Sequence, residues 1–148
     1  MEQDRLDDFM TLIVGASRSV TRLKSKYMAR YGLGSTHTVC IRKIYASSIG
    51  LTRTELAEQC ELDKAQVSRI INELSDKGFV TEKSTRTNYK RRVTLTEEGK
   101  RIAKEINNIV LTVNNFVSGG ISDSDINMFY SVFKEICDNL KNAEEHIG

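Results

Sequence analysis

The sequence reads as a mainly α-helical protein with one small β-hairpin, and three features lead there. Two short segments, Thr52–Cys60 and Asp63–Lys77, each open on a helix start signal. A cluster of bases, Arg86, Lys90, Arg91 and Arg92, lies between two short strand-like stretches, with no acid from residue 84 to residue 92. Three long segments, one before this centre and two after it, carry apolar residues at alternating steps of three and four. The chain has no proline, so helix ends fall to glycines and capping side chains.

The first helix is predicted from about Gln3 to Tyr31, with Leu6, Phe9, Ile13, Ala16, Val20, Leu23 and Tyr27 as a heptad seam. Gly32 and Gly34 end it. A second helix covers about Thr36 to Ser48, with Val39, Ile44 and Tyr45 as inward candidates. Thr52-x-x-Glu55 is a capping box: the hydroxyl accepts from the third amide of the helix, and the carboxylate accepts from the amide of the cap. Asp63-x-x-Gln66 repeats the arrangement. Behind it Val67, Ile70, Ile71 and Leu74 form one apolar stripe, and Gly78 suits the left-handed position that closes the helix. Phe79-Val80-Thr81 then reads as a strand and Val93-Thr94-Leu95 as its returning partner, with Thr87, Asn88 and Tyr89 in the loop. Thr96 caps a fifth helix, and Glu97 and Glu98 in its first turn complement the helix dipole. Its seam is Ile102, Ile106, Ile109, Val113 and Phe116. Ser118-Gly-Gly-Ile-Ser122 breaks it, and Ser122 caps a sixth helix with Ile126, Phe129, Phe133, Ile136, Leu140, Ala143 and Ile147 as its apolar positions.

At 148 residues the chain suits one compact domain or two small lobes. A chain of this size buries roughly 70% of its unfolded surface and needs no disulfide or metal to fold. Cys40, Cys60 and Cys137 are scattered, which is neither a disulfide framework nor a zinc ligand set, and three reduced, mostly buried thiols are expected. His37 and His146 are the only histidines and lie far apart in sequence. There is no phosphate-binding loop, metalloprotease motif, nucleophile elbow or dinucleotide fingerprint, so neither an enzyme nor a cofactor is expected. No apolar run is long enough for a membrane span, and the N-terminus is acidic where a signal peptide would be basic, so the expected location is the cytoplasm. The net charge is only +2 but is unevenly placed: from Lys64 to Lys104 bases outnumber acids eleven to five, and from Ile121 onward the acids dominate. One face is expected to meet a polyanion.

Two short helices at an angle followed by a basic hairpin make a winged helix-turn-helix, in which the second helix enters the DNA major groove. The bracing contact needs a small residue on the first helix against branched residues on the second, and Ala57, Val67 and Ile70 have that spacing. Glu61 stands where many such motifs place glycine, so the turn need not be of the tightest kind. With the apolar stripe turned inward, Ala65, Gln66, Ser68, Arg69 and Asn72 face out. Gln66 and Asn72 can pair with adenine edges and Arg69 with guanine or phosphate. Lys64 and Ser68 are suited to phosphate. Arg86, Lys90 and Arg91 sit at or near the wing tip, where a guanidinium can enter a narrow minor groove. Arg92 alternates with Val93, which leaves open a place on the sheet. The long seams exceed what one small lobe can cover, and an intertwined homodimer solves this. Residues 1–34 and 96–148 are assigned to a helical dimerisation lobe and residues 35–95 to the winged helix-turn-helix. The alternative is a winged helix that binds protein rather than DNA.

At this point the chain resembles the MarR family of winged-helix regulators over nearly its whole length. The resemblance rests on Leu51-Thr-x-x-Glu-Leu-Ala57, Val67-Ser-Arg-Ile-Ile-x-x-Leu74, Lys77-Gly-Phe-Val80 and Leu95-Thr-Glu-Glu-Gly99. The family's Asp-x-Arg wing signature is absent, with Thr87 and Tyr89 in the matching places, and Lys90-Arg91-Arg92 is expected to take over its contacts. The resemblance implies a homodimer on a near-palindromic double-stranded DNA operator. It implies a repressor released by a small aromatic or phenolic ligand, or by thiol oxidation. By position, Lys26, Tyr27, Tyr31, His37 and Arg42 are the candidates to line a ligand crevice. The oxidation-sensing branch resembles proteins with a reactive cysteine in the first helix, and this first helix has none, which argues against that branch.

Overall fold

A computed structural model describes residues 2–84 and 91–147. Six helices and a two-stranded antiparallel hairpin follow in the expected order: α1 (Glu2–Met28), α2 (Ser35–Ala46), α3 (Arg53–Cys60), α4 (Lys64–Asp76), β1 (Val80–Lys83), β2 (Arg92–Leu95), α5 (Glu97–Val117) and α6 (Asp123–Ile147). The chain divides into two compact units, Met1–Ile109 and Val110–Gly148.

In the first unit α1 runs into one 3-10 turn, Ala29–Tyr31, which Gly32 ends in the left-handed conformation at φ 66°. Gly34 does not close this helix, as its position suggested. It is the N-cap of α2, and its amide donates to His37 Nδ1 at 3.0 Å. The buried face of α2 is His37, Thr38, Cys40, Ile41 and Ile44, so Val39 and Tyr45 fall at its margin. The expected inward set was offset because three apolar residues do not fix the phase of a twelve-residue helix.

Helix α2 packs on α1, α3 and β2, and α3 packs on α4. Their shared core contains Ile41, Ile44, Leu56, Ala57, Val67, Ile70, Ile71 and Leu74, joined by Val80, Val93, Ile102 and Ile106. Each large aliphatic side chain taken out of water here contributes about 1.5–3 kcal/mol.

The end of α4 is fixed by a Schellman arrangement: Gly78 takes φ +78° and donates to the Ser75 carbonyl, and the Phe79 amide donates to the Leu74 carbonyl at 2.9 Å. Phe79 is thereby spent on closing the helix, so β1 begins at Val80 rather than Phe79 and extends to Lys83. The hairpin pairs Val80 with Leu95, Thr81 with Thr94, Glu82 with Val93 and Lys83 with Arg92. Leu51 adds a one-residue bridge to Val93 on the far side, too short for any sequence periodicity to announce.

Helix α5 starts where expected, with the Gly99 amide donating to Thr96 Oγ1 at 3.0 Å. Thr96 also reaches back, its hydroxyl donating to the Gly78 carbonyl and its amide to the Phe79 carbonyl. The first turn of α5 is thus seated on the turn that closes α4.

The second unit contains the last turns of α5 and all of α6. Ser122 caps α6 by accepting from the Asp125 amide at 3.1 Å. Phe129 stacks on Phe133 one turn away, with ring centroids 5.4 Å apart. No residue of α6 is buried. Leu6, Ile13 and Val20 on α1 are exposed, as are Phe116 on α5 and Phe129 and Leu140 on α6. These residues belong to the expected seams, which are therefore open in part in the single chain, whereas Tyr27 on α1 and Ile102 and Ile106 on α5 are buried. No described helix is long and apolar enough to cross a membrane.

Candidate nucleic-acid interface

Two short helices present one surface because their caps and their shared core leave them no other orientation. Both capping boxes form. Thr52 Oγ1 accepts from the Glu55 amide and Glu55 Oε2 from the Thr52 amide. Asp63 Oδ1 accepts from the Gln66 amide at 2.7 Å, and Gln66 Oε1 from the Asp63 amide at 3.4 Å. Ala57 on α3 and Val67 and Ile70 on α4 are all buried, as the bracing contact requires.

Between the helices Glu61 caps α3 at φ 52°, ψ 44°. The chain keeps the left-handed turn that glycine would make and places a β-carbon in it, which costs about 1–2 kcal/mol. Glu61→Gly is therefore expected to raise stability by about 1 kcal/mol, seen as a higher midpoint in urea with an unchanged slope.

With Val67, Ile70, Ile71 and Leu74 buried, Lys64, Ala65, Arg69 and Asn72 are exposed, and Gln66 and Ser68 are half-buried. The side chains of Lys64 and Arg69 make no hydrogen bond or ion pair to another described residue, which leaves both cations available to a polyanion. Gln66 and Asn72 are engaged internally. The Gln66 carbonyl caps α4, and Asn72 Oδ1 accepts from Arg53 Nη2 at 3.0 Å. Each keeps its amide N–H donors for a base edge, whereas two-point pairing with adenine needs the oxygen as well.

Arg53 is a residue that sequence reasoning missed. From the first position of α3 its guanidinium grips Glu82 of β1 with both arms, Nε to Oε2 at 2.9 Å and Nη2 to Oε1, while Nη2 also holds Asn72. The guanidinium holds the Glu82 carboxyl below the usual carboxylate range, against a smaller opposing effect of burial. On β2, Arg92 donates to the Gly50 carbonyl at 3.1 Å and to Glu55 at 3.3 Å. Arg92 accordingly belongs to the sheet, the alternative its alternation with Val93 left open. Both strands are tied to α3 by ion pairs even though the Asp-x-Arg signature is missing.

Arg53→Ala is expected to cost about 1.5 kcal/mol, because it strands a part-buried carboxylate. The double variant with Glu82→Ala is expected to lose clearly less than the sum of the two single variants. Since the Glu82 pKa is depressed on folding, its contribution is fully present above the ordinary carboxylate pKa of about 4.5 and is lost as pH falls through the folded value. Acid titration of stability in wild type and Glu82→Gln reads this directly: the wild-type advantage should vanish in that window.

Arg91 is exposed beside the wing and close enough to Glu82 to help lower its pKa. Arg86 and Lys90 lie outside the described residues.

The ligand-crevice candidates are placed as follows. Lys26 is exposed and Tyr27 buried near the end of α1. Tyr31 donates its hydroxyl to Glu105 at 2.7 Å, and Arg42 Nε donates to Asn107 at 3.1 Å, both on α5. His37 is nearly buried, and with Nδ1 accepting from Gly34 its Nε2 carries the proton and donates to Glu73 on α4 at 2.6 Å. His37 thus links α2 to the helix that presents Lys64 and Arg69. A cavity of about 280 Å³ lies elsewhere in this unit, lined by Ile44, Tyr45, Ser48, Thr94, Leu95 and Lys100, and none of the five candidates lines it.

Comparison with known proteins gives the same picture. A model of the MarR family matches residues 44–88. The solved structure of S. aureus MepR in complex with DNA is similar at 13% identity and a TM-score of 0.81, covering 89% of this chain and 97% of that one. A MarR family transcriptional regulator from Listeria monocytogenes complexed with a 26mer DNA is similar at 18% identity and a TM-score of 0.81, covering 90% and 89%. CouR from Rhodococcus jostii, bound to p-coumaroyl-CoA, is similar at 21% identity and a TM-score of 0.75, covering 88% and 91%.

Proposed function

We propose that this chain, which belongs to the MarR family, is a sequence-specific DNA-binding transcriptional regulator. The observation that carries the reading is the outer face of α4, where the side chains of Lys64 and Arg69 stand exposed with no internal partner among the described residues. The bases around it serve different ends. Arg69 and the amide donors of Gln66 and Asn72 read base edges, while Lys64, Ser68 and the wing residues Arg86, Lys90 and Arg91 hold phosphate or enter the minor groove. Two solved structures of similar fold, MepR and the Listeria regulator, contain DNA.

The regulator acts as a homodimer in the cytoplasm, with residues 1–34 and 96–148 forming the dimerisation lobe and residues 35–95 the DNA-binding lobe. The exposed apolar residues of α1, α5 and α6 support this, since open stripes of that length are covered in stable proteins. Two copies related by a two-fold axis read a near-palindromic operator with half-sites about one helical turn apart. The protein is a repressor, released when a small aromatic or phenolic ligand occupies a crevice at Lys26, Tyr27, Tyr31, His37 and Arg42. CouR, of similar fold, is bound to p-coumaroyl-CoA. The His37–Glu73 contact supplies a physical route from that crevice to α4.

Selection from random duplexes tests the reading. Enrichment of an inverted repeat, bound by protein that sediments as a dimer, is the expected outcome. An absence of any enriched motif would contradict it.

A further inference from the structure

Asn72 lies exposed on the outer face of α4, and its carboxamide is not free to turn either way. Its Oδ1 accepts from Arg53 Nη2 at 3.0 Å. A guanidinium can only donate, so the atom turned toward Arg53 is the oxygen, and the amide nitrogen points away from it. That nitrogen makes no hydrogen bond to another described residue. Arg53 is itself held in place. Its Nε and Nη2 grip the Glu82 carboxylate, Nε at 2.9 Å, and its Nη1 reaches the Ser68 carbonyl at 3.5 Å. Ser68 and Asn72 are about one helical turn apart, so the guanidinium meets α4 at two successive turns and the first wing strand at a third point.

We propose that Arg53 is a positioning residue for base recognition: it fixes Asn72 as a hydrogen-bond donor, and α4 thereby selects guanine at the base pair facing Asn72, a selection that rests on the DNA-binding reading above.

The major-groove edges of the bases decide which one suits a donor. Guanine offers N7 and O6 as two neighbouring acceptors, and thymine offers O4 alone. Adenine offers N7 beside its N6 donor, and cytosine offers only a donor. An asparagine free to turn pairs with adenine through both ends of its carboxamide. Asn72 lacks the second end, because its oxygen is already occupied, and reaching adenine with it would cost the bond to Arg53. Guanine requires no such release. The wing takes part at a distance, since Glu82 on β1 holds the guanidinium that holds Asn72. Gln66 is turned in the same sense but more loosely, its Oε1 lying 3.4 Å from the Asp63 amide.

The full chain and the operator selected from random duplexes supply the test. Each base pair of the operator is replaced in turn by the other three, and affinities are measured for wild type, Asn72→Asp and Arg53→Ala. Wild type is expected to favour guanine over adenine at one position by at least about fivefold. Asn72→Asp keeps the shape of the side chain and an oxygen for Arg53, but exchanges the outward donor for an acceptor. At that same position, and at no other, the preference is expected to pass from guanine to cytosine, whose amine donates. Arg53→Ala lets the carboxamide turn, so adenine is expected to draw level with guanine there while the ranking of bases elsewhere stays as in wild type. A general loss of stability would not move one position alone. A selected operator read identically by wild type and Asn72→Asp overturns the contact and leaves the proposed function standing. Adenine as the wild-type preference at the position that Asn72→Asp alters overturns the donor orientation. Arg53→Ala that weakens all sequences alike, with guanine still preferred at that position, overturns the positioning role. Absence of any selected operator overturns the proposed function itself, and the guanine selection with it.

Discussion

Replacing Gly99 with alanine is expected to destabilise the protein by at least about 3 kcal/mol, lowering the thermal midpoint by about 10 °C at fixed protein concentration. A β-carbon at this position would lie 2.0 Å from the Phe79 carbonyl oxygen and 3.3 Å from Leu95 Cβ. The first obstacle is main chain, and it is already fixed: the Phe79 oxygen accepts from the Thr96 amide, and the Phe79 amide is bonded to Leu74. Relief therefore requires α5 to lift from the turn between α4 and β1, and Phe79 and Leu95 lie where the wing begins and ends. The loss should extend to DNA affinity, because the wing and α4 share this anchor. Gly15, on the exposed face of α1, is the internal comparison, since a β-carbon there would meet nothing within 4 Å. Gly15→Ala is expected to stabilise by about 0.5–1 kcal/mol through helix propensity. Equal effects at the two sites would show that the close approach at Gly99 does not exist.

Arg69→Ala is expected to lower operator affinity by about 1–3 kcal/mol, roughly 5- to 150-fold, while leaving thermal stability within about 0.5 kcal/mol of wild type. The separation of the two effects follows from the geometry: the side chain is exposed and carries no internal bond to another described residue, so folding does not depend on it. A base contact and a phosphate contact are then distinguished by competition. Loss confined to the selected operator marks base reading, and equal loss on scrambled DNA with a shallower salt dependence marks phosphate binding. Lys64→Ala is expected to follow the second pattern. Unchanged affinity in Arg69→Ala would remove the outer face of α4 from the interface.

What could be read from sequence was local, and what could not was the meeting of distant residues. The boxes at Thr52/Glu55 and Asp63/Gln66 close within four residues, so their chemistry is visible in the chain itself, and Gly78 and Thr96 are equally self-contained. The inward stripe of α4 followed from period alone and is buried at each expected position. At Glu61 residue identity left the tightness of the turn open, and the folded chain sets it as left-handed. Gly34 misled because a glycine beside a helix end can equally begin the next helix. The Arg53–Glu82 pair spans twenty-nine residues and the His37–Glu73 pair thirty-six, and no spacing rule connects such positions before the fold does. The candidate site was legible as a face but not as a set of free hands. Asn72 and Gln66 were both expected to face out; Asn72 is exposed and Gln66 half-buried, and their oxygens are occupied by Arg53 and by the Asp63 amide, partners that only the folded chain supplies.

The central claim is that this protein recognises a DNA sequence through α4, and fluorescence anisotropy of a labelled duplex tests it most directly. Purified protein would be titrated against the DNA upstream of its own coding region, and against a scrambled duplex, at two salt concentrations. Tight binding that prefers the native fragment and weakens steeply with salt is the predicted result. No binding to either duplex at low salt would contradict the claim.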